Sequence, residues 1–330
     1  MNSIKKMMLS GALGCLISGM AYADGSSPQP VKPYWQDIQV VAVNKEKPRS
    51  SFMSYADRET ALTSRFEKSP YYSLLNGTWK FFFVDSYKDL PQNITDPSVN
   101  TSSWDDITVP GNWEVQGHGV AIYTNHGYEF KPKNPQPPLL PEANPVGVYR
   151  RDIEIPANWD NRDIYLHIGG AKSGLYVYLN GKEVGYSEDS KNPAEFLINK
   201  YLQPGKNVLT LKIFRWSTGS YLECQDFWRM SGIERDVFLW SQPKASIQDF
   251  RVVSTLDDTY TNGIFKLAVD LKNHTQETKN LNVGYELLDA KGNLMASEAN
   301  DIWVSPASPQ TASFEYDLKN VAPWLSLIHI

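Results

Sequence analysis

The stretch Tyr221–Gly232, YLECQDFWRMSG, sets Glu223, Asp226 and Arg229 among Tyr221, Phe227, Trp228 and Met230. Two carboxylates in an aromatic setting have the makings of acid/base chemistry. Glycoside hydrolysis uses such a pair about 5–9.5 Å apart. The run lacks the strict alternation of a strand with one buried face. A spacing of three leaves two readings open, a catalytic pair and a pair of structural carboxylates, and the second is the commoner condition in a β-rich chain. Cys224, in the same run, has no suitable histidine in view and reads as a packed thiol, not a nucleophile. No other spacing points to chemistry: there is no H-E-x-x-H, paired C-x-x-C, Walker loop or G-x-S-x-G, and the five histidines are scattered.

The elements around this run are strands. LYVYLNGKEVGYS (residues 175–187) is a hairpin with Asn180-Gly181 at a type I′ turn. LLNGTWKFFFV (74–84) turns into a strand with Trp79 and Phe81 on one face. WDDITVPGNW, VGVYRRDIEI, RDIYLHIGG, NVLTLKIFRW and RDVFLWS add further strands. The one convincing helix is short, ADRETALTSRF (56–66). Residues 131–145, KPKNPQPPLLPEANP, hold six prolines and must form an extended surface loop. Many strands without βα alternation imply an all-β chain whose first domain is an antiparallel sandwich, a jelly roll. After Ser241-Gln242-Pro243 come short, regularly spaced strands with turns at Asn262-Gly263 and Ala290–Asn293. They predict a second, immunoglobulin-like β-sandwich with no cysteine pair.

The 330 residues suggest two domains, and 12% aromatic residues supply the cores. Lys5 and Lys6, the apolar run Met7–Met20 and the small-x-small site Ala21-Tyr22-Ala23 read as a secretory signal peptide cleaved after Ala23. The protein is therefore expected in the periplasm or outside the cell, without a membrane span. Cys15, after Ala12-Leu13-Gly14, offers a competing lipoprotein reading. Cleavage takes two lysines from a net charge of −5 and leaves −7, with no Lys/Arg cluster, which excludes nucleic acid as a partner. It also leaves Cys224 alone, so no internal disulfide can form. The expected divisions are a leader at 1–23, an extended segment at 24–60, a jelly roll at 61–241, an immunoglobulin-like sandwich at 242–324 and an atypical tail at 325–330.

Four stretches carry a family resemblance: VPGNWEVQGHGVAIYTN (109–125), NPVGVYRRDIEIP (144–156), YLNGKEVGYSEDSKNPAEF (178–196) and RWSTGSYLECQDFWRMSGIERDV (215–237). They resemble the amino-terminal half of glycoside hydrolase family 2, nearest to the large bacterial β-galactosidases within it. The resemblance runs from about Trp35 to Trp324. It implies a jelly-roll sugar-binding domain first, an immunoglobulin-like domain second, and a (β/α)₈ barrel beyond them that carries both catalytic glutamates. The final LSLIHI departs from the family pattern. No catalytic residue is then expected in this chain, and the chain alone should be inactive.

In the family the first domain leans over the barrel mouth and lends residues to the sugar pocket. The asparagine of YTN matches Asn125, and the last aspartate of the EDQD-like run matches Asp226. The resemblance makes both substrate-binding and gives Asp226 a bound monovalent cation. The competing reading pairs Asp226 with Arg229 or Arg235. Glu223 and Arg229 are expected in a buried network that fixes the loop, and Cys224 stands where the family has an acid or a neutral residue. The implied function is hydrolysis of terminal β-D-galactosides by a retaining enzyme. A complete enzyme would take Mg (or Ca) and Na and the missing barrel as partner, and would assemble as a homo-oligomer; no cofactor is expected in the fragment. The alternative is a stand-alone, non-catalytic carbohydrate-binding protein.

Overall fold

Period-two apolar strands and tight turns build the chain into antiparallel sheets. The computed structural model describes residues 32–130 and 134–323. The leader, with Cys15, and the tail from Trp324 lie outside them. In the first lobe seven strands form one sheet, in the order Ala42–Val43, Lys182–Ser187, Gly174–Leu179, Lys206–Phe214, Val146–Glu154, Gly77–Val84 and Asp105–Val109. Four strands face it, in the order Ala194–Leu197, Arg162–Ile168, Val237–Pro243 and Tyr72–Leu74. Trp79, Phe81, Val177 and Leu211 from the large sheet pack on Leu166, Ile168, Phe196 and Leu239 from the small one. This is the expected jelly-roll-like sandwich. The hairpin turn is as read: Asn180 and Gly181 both have positive φ, and Leu179 pairs with Lys182.

The large sheet is covered on both faces. Val146, Val148, Tyr176 and Phe214 point away from the main core and pack against Trp35 and Trp104. Trp35 stacks on Phe214 at 5.0 Å, so the extended amino-terminal segment is part of the fold from Pro33 onward. Gly185 shows how closely it approaches. A Cβ there would lie 2.3 Å from the Val43 carbonyl oxygen and 2.7 Å from the Phe196 ring. Gly185→Ala is expected to destabilise the chain by about 1–3 kcal/mol, because neither backbone nor buried ring can withdraw. Urea unfolding with an unchanged midpoint would refute this.

The helix is shorter than the sequence suggested. Only Arg58–Leu62 is α-helical, with Asp57 accepting from the Thr60 amide at 2.7 Å. No residue of it is buried, so no packing extends it beyond its cap. Residues 134–145 of the proline-rich loop contain no helix or strand.

The second lobe sets Ala245–Leu256, Gly263–Asn273 and Gln310–Leu318 against the hairpin Lys279–Leu288 and Leu294–Val304. Phe265, Leu267, Val283, Val304 and Phe314 form its core. Asp257 and Asp289 organise the two turns by accepting backbone amides. The lobes are clasped together. Asp163 of the first accepts from His274 of the second at 2.7 Å and lies 3.8 Å from Lys272, while the Ser50 amide donates to Asp249 at 2.8 Å.

Candidate functional site

The segment that defied alternation is one strand of a two-stranded ribbon. Phe227–Arg229 pairs antiparallel with Ile122–Thr124, with Phe227 opposite Thr124, Trp228 opposite Tyr123 and Arg229 opposite Ile122. The segment alternates after all, with inverted polarity: Asp226 and Trp228 are exposed, and Arg229 is buried. Paired residues share a face, and residues two apart share it too. Asp226, Trp228, Tyr123 and Asn125 therefore lie on one outward face. Asn125 follows Thr124 and Asp226 precedes Phe227, so the register places them at the next rung. Both are exposed.

The Tyr123 hydroxyl donates to Asp226 Oδ1 at 2.9 Å. This hydrogen bond, and then the carboxylate's charge, raise the Tyr123 pKa above its ordinary value. The Tyr123 and Trp228 rings sit 5.7 Å apart and about half exposed, at 55% and 54%. The result is a small exposed platform: two rings, one carboxylate with Oδ2 free of any donor among the described residues, and one amide. Tyr123 and Trp228 escaped the sequence reading; the matched two-residue spacing in Tyr123-x-Asn125 and Asp226-x-Trp228 was the available signal.

Glu223 and Arg229 lie behind the ribbon. The Ser190 amide and hydroxyl donate to the Glu223 carboxylate at 3.0 and 2.6 Å. Arg229 Nη1 donates to the Glu223 carbonyl at 2.8 Å, and its guanidinium lies 4.9 Å from the Phe227 ring centre. Both belong to one network, joined through backbone and not through an ion pair. The pairing of Asp226 with Arg229 or Arg235 is not formed: Arg229 points to the opposite face, and Arg235 donates to the Gly169 carbonyl at 3.3 Å. Glu223 and Asp226 have different anchors and face different surroundings, which argues against a catalytic pair. Glu188 stiffens the preceding turn, Thr218–Tyr221, by accepting from Tyr186, Thr218 and the Gly219 amide at 2.7, 2.6 and 2.8 Å. Burial raises the Glu188 pKa, against those same hydrogen bonds. Cys224 is a free, half-buried thiol whose pKa is pushed up first by burial.

Among the described residues, no group of three or more His, Cys, Asp or Glu is placed to hold a metal ion. Asp226 Oδ2 could supply one oxygen to a weakly bound monovalent cation, but the remaining oxygens would have to come from elsewhere. No helix among the described residues is long and apolar enough to cross a membrane.

The chain can now be set beside known proteins. The family described as "Glycosyl hydrolases family 2, sugar binding domain" matches residues 72–243, and "Glycosyl hydrolases family 2" matches residues 245–325. A β-galactosidase of Priestia megaterium is 37% identical over 296 residues, which is 88% of this chain and 29% of that protein. A β-galactosidase of Halalkalibacterium halodurans is 38% identical over 267 residues, 79% of this chain and 26% of that protein. The chain thus spans less than a third of the length of the relatives it matches. A Bacteroides uniformis β-glucuronidase shares the fold, with a TM-score of 0.62 at 20% identity, covering 77% of this chain and 28% of the other. An all-β double sandwich, an exposed Asn125–Asp226 face, and two consecutive domain matches that together span most of the described residues lead to one conclusion: the chain belongs to glycosyl hydrolase family 2.

Proposed function

We propose that this chain is the sugar-binding amino-terminal part of an exported, retaining β-galactosidase that acts on terminal non-reducing β-D-galactosides. The observation that carries the reading is the outward face shared by Asn125, Tyr123, Asp226 and Trp228. Sugar hydroxyls need short donors and acceptors held on rigid edges, and a sugar's C–H face favours an exposed ring. Asp226 Oδ2 accepts a hydrogen bond from a sugar hydroxyl, the Asn125 amide donates and accepts, and Tyr123 fixes the carboxylate. Asp226 would also be one ligand of a sodium ion shared with the rest of the enzyme, and that ion would orient a sugar hydroxyl. The reaction itself belongs to a pair of glutamates outside these two lobes. A magnesium or calcium site would likewise lie outside them.

The test compares the purified chain with a form extended by a barrel from a family 2 β-galactosidase, using nitrophenyl β-galactoside and β-glucuronide. Turnover of the galactoside by the extended form alone is the expected result. Turnover by the chain alone that survives repurification, or an extended form that prefers the glucuronide, would refute the proposal. Saturable galactose binding by the chain without turnover in either form would favour a stand-alone binding protein.

A further inference from the structure

The extended amino-terminal segment and the outer face of the small sheet hold a cavity between them. Its volume is about 290 Å³, at the lower end of small-molecule sites, which run to about 1,000 Å³. Glu195, His167 and Phe238 form one row across three strands and line it from the sheet side. Residues 46–52, Phe66 and the turn with Asp189 and Asn192 supply the rest of the lining. No residue of the Asn125–Asp226 face takes part.

The row holds an oriented imidazole. His167 Nδ1 lies 2.8 Å from Glu195 Oε1, and its ring stacks on Phe238 at 4.2 Å. Arg49 keeps Glu195 ionised, and an ionised carboxylate can only accept. Nδ1 therefore carries the proton, and in the neutral ring Nε2 is an acceptor. Nε2 has no partner among the described residues, and the imidazole is 17% exposed. The half-buried Glu46 carboxylate lines the same cavity and likewise has no hydrogen-bond partner among the described residues. Burial is the largest influence on it and raises its pKa. The unmet groups are thus acceptors, so the occupant must bring a donor.

Charge and polarity narrow the occupant further. Glu195 is closed on Arg49, Asp189 has Lys45 near it, and Glu46 shares Lys272 and His274 with Asp163. Lys47, the remaining charged residue of the lining, is exposed to solvent. Each carboxylate has a cation near it, so nothing in the lining calls for an ionic ligand. Phe52, Phe66 and Phe238 give the cavity apolar walls that suit another aromatic ring. A sugar would set most of its hydroxyls against ring carbons, where they lose water and gain no partner. We propose that this cavity binds a neutral aromatic alcohol of the phenol class, whose hydroxyl donates to His167 Nε2. The inference rests on these residues alone and is independent of the galactoside reading.

The test titrates the purified chain with 2-naphthol and with 2-methylnaphthalene, which has nearly the same shape and no hydroxyl, following the fluorescence of each. Saturable binding of the naphthol is expected. His167→Phe should weaken it about 3- to 10-fold, the worth of one hydrogen bond, and leave the methyl compound bound no more weakly. Asn192→Trp, at an exposed position of the lining, should weaken both by filling the cavity. Should His167→Phe fail to fold, crystals of the unaltered chain with 2-naphthol decide the matter. A naphthol oxygen within hydrogen-bond range of Nε2 supports the site, and naphthol lodged elsewhere overturns it. No saturable binding, binding untouched by Asn192→Trp, an equal loss of both ligands in His167→Phe, or displacement by methyl β-galactoside overturns it as well.

Discussion

Replacing Glu195 by alanine is expected to lower the stability of the first lobe by about 3–5 kcal/mol, the range for removing one partner of a buried ion pair. Glu195 sits in the strand Ala194–Leu197, opposite His167, and is buried. Arg49 grips both its oxygens, Nη2 to Oε1 at 2.8 Å and Nε to Oε2 at 2.9 Å. His167 Nδ1 lies 2.8 Å from Oε1, and the Trp240 indole donates to it at 3.1 Å. The Arg49 guanidinium also lies against two rings, 4.4 Å from the centres of both Phe52 and Trp240. Alanine would strand a buried cation and an indole N–H at once. It would also release the extended amino-terminal segment, which this clamp ties to the sandwich. Urea unfolding checks the size of the effect, and faster proteolysis before Phe52 checks the release. Glu195→Gln should fall between, since the amide keeps one acceptor. A loss below about 1 kcal/mol in the alanine variant would show that the clamp contributes no more than a surface pair.

The same group sets an acid limit. Burial pushes the Glu195 pKa up, but the hydrogen bond from His167 and the charge and hydrogen bonds of Arg49 outweigh it and hold the pKa below the ordinary carboxylate value. A depressed folded-state pKa contributes stability that is present above the unfolded value. That stability is lost as pH falls through the folded value. The clamp should therefore hold at neutral pH and open only below the ordinary carboxylate range.

The second large effect belongs to Asp226. In the barrel-extended enzyme, Asp226→Ala is expected to reduce kcat/KM for a galactoside by about 10- to 150-fold, the equivalent of one lost charge-assisted hydrogen bond. KM should rise and kcat should fall together, as for a contact strengthened in the transition state. Stability should stay within about 0.5 kcal/mol, since the carboxylate is exposed and its one partner among the described residues is the exposed Tyr123 hydroxyl. Tyr123→Phe should give a smaller loss of the same kind, because the carboxylate remains but is no longer held. Asp226→Ala that unfolds the chain while leaving kcat/KM intact would show a structural carboxylate and sink the sugar-site reading.

Much of this molecule was legible in its residues because local chemistry fixes it. Asn180-Gly181 permits positive φ at two successive positions, so the hairpin and its register follow from two residues. Trp79 and Phe81 share a face because strand geometry has period two, and both are buried. The family motifs likewise marked Asn125 and Asp226, though they lie a hundred residues apart.

Other features depended on what packs where. Trp35 covers the outer face of the large sheet, and only the assembled sheet presents Phe214 to it. The helix shrank to five residues because no neighbour buries a face of it. The segment Asp226–Arg229 misled most. Its sequence puts tryptophan outward and arginine inward, against the usual rule that apolar residues are buried and charges exposed. Arg229 can be buried because the Glu223 carbonyl accepts its guanidinium and the Phe227 ring lies beside it. Trp228 can be exposed because its cross-strand neighbour is Tyr123, and together they make a platform. Composition and spacing contain neither partner. A strand's polarity is set by the surfaces that close on its two faces, and those surfaces exist only once distant segments have met.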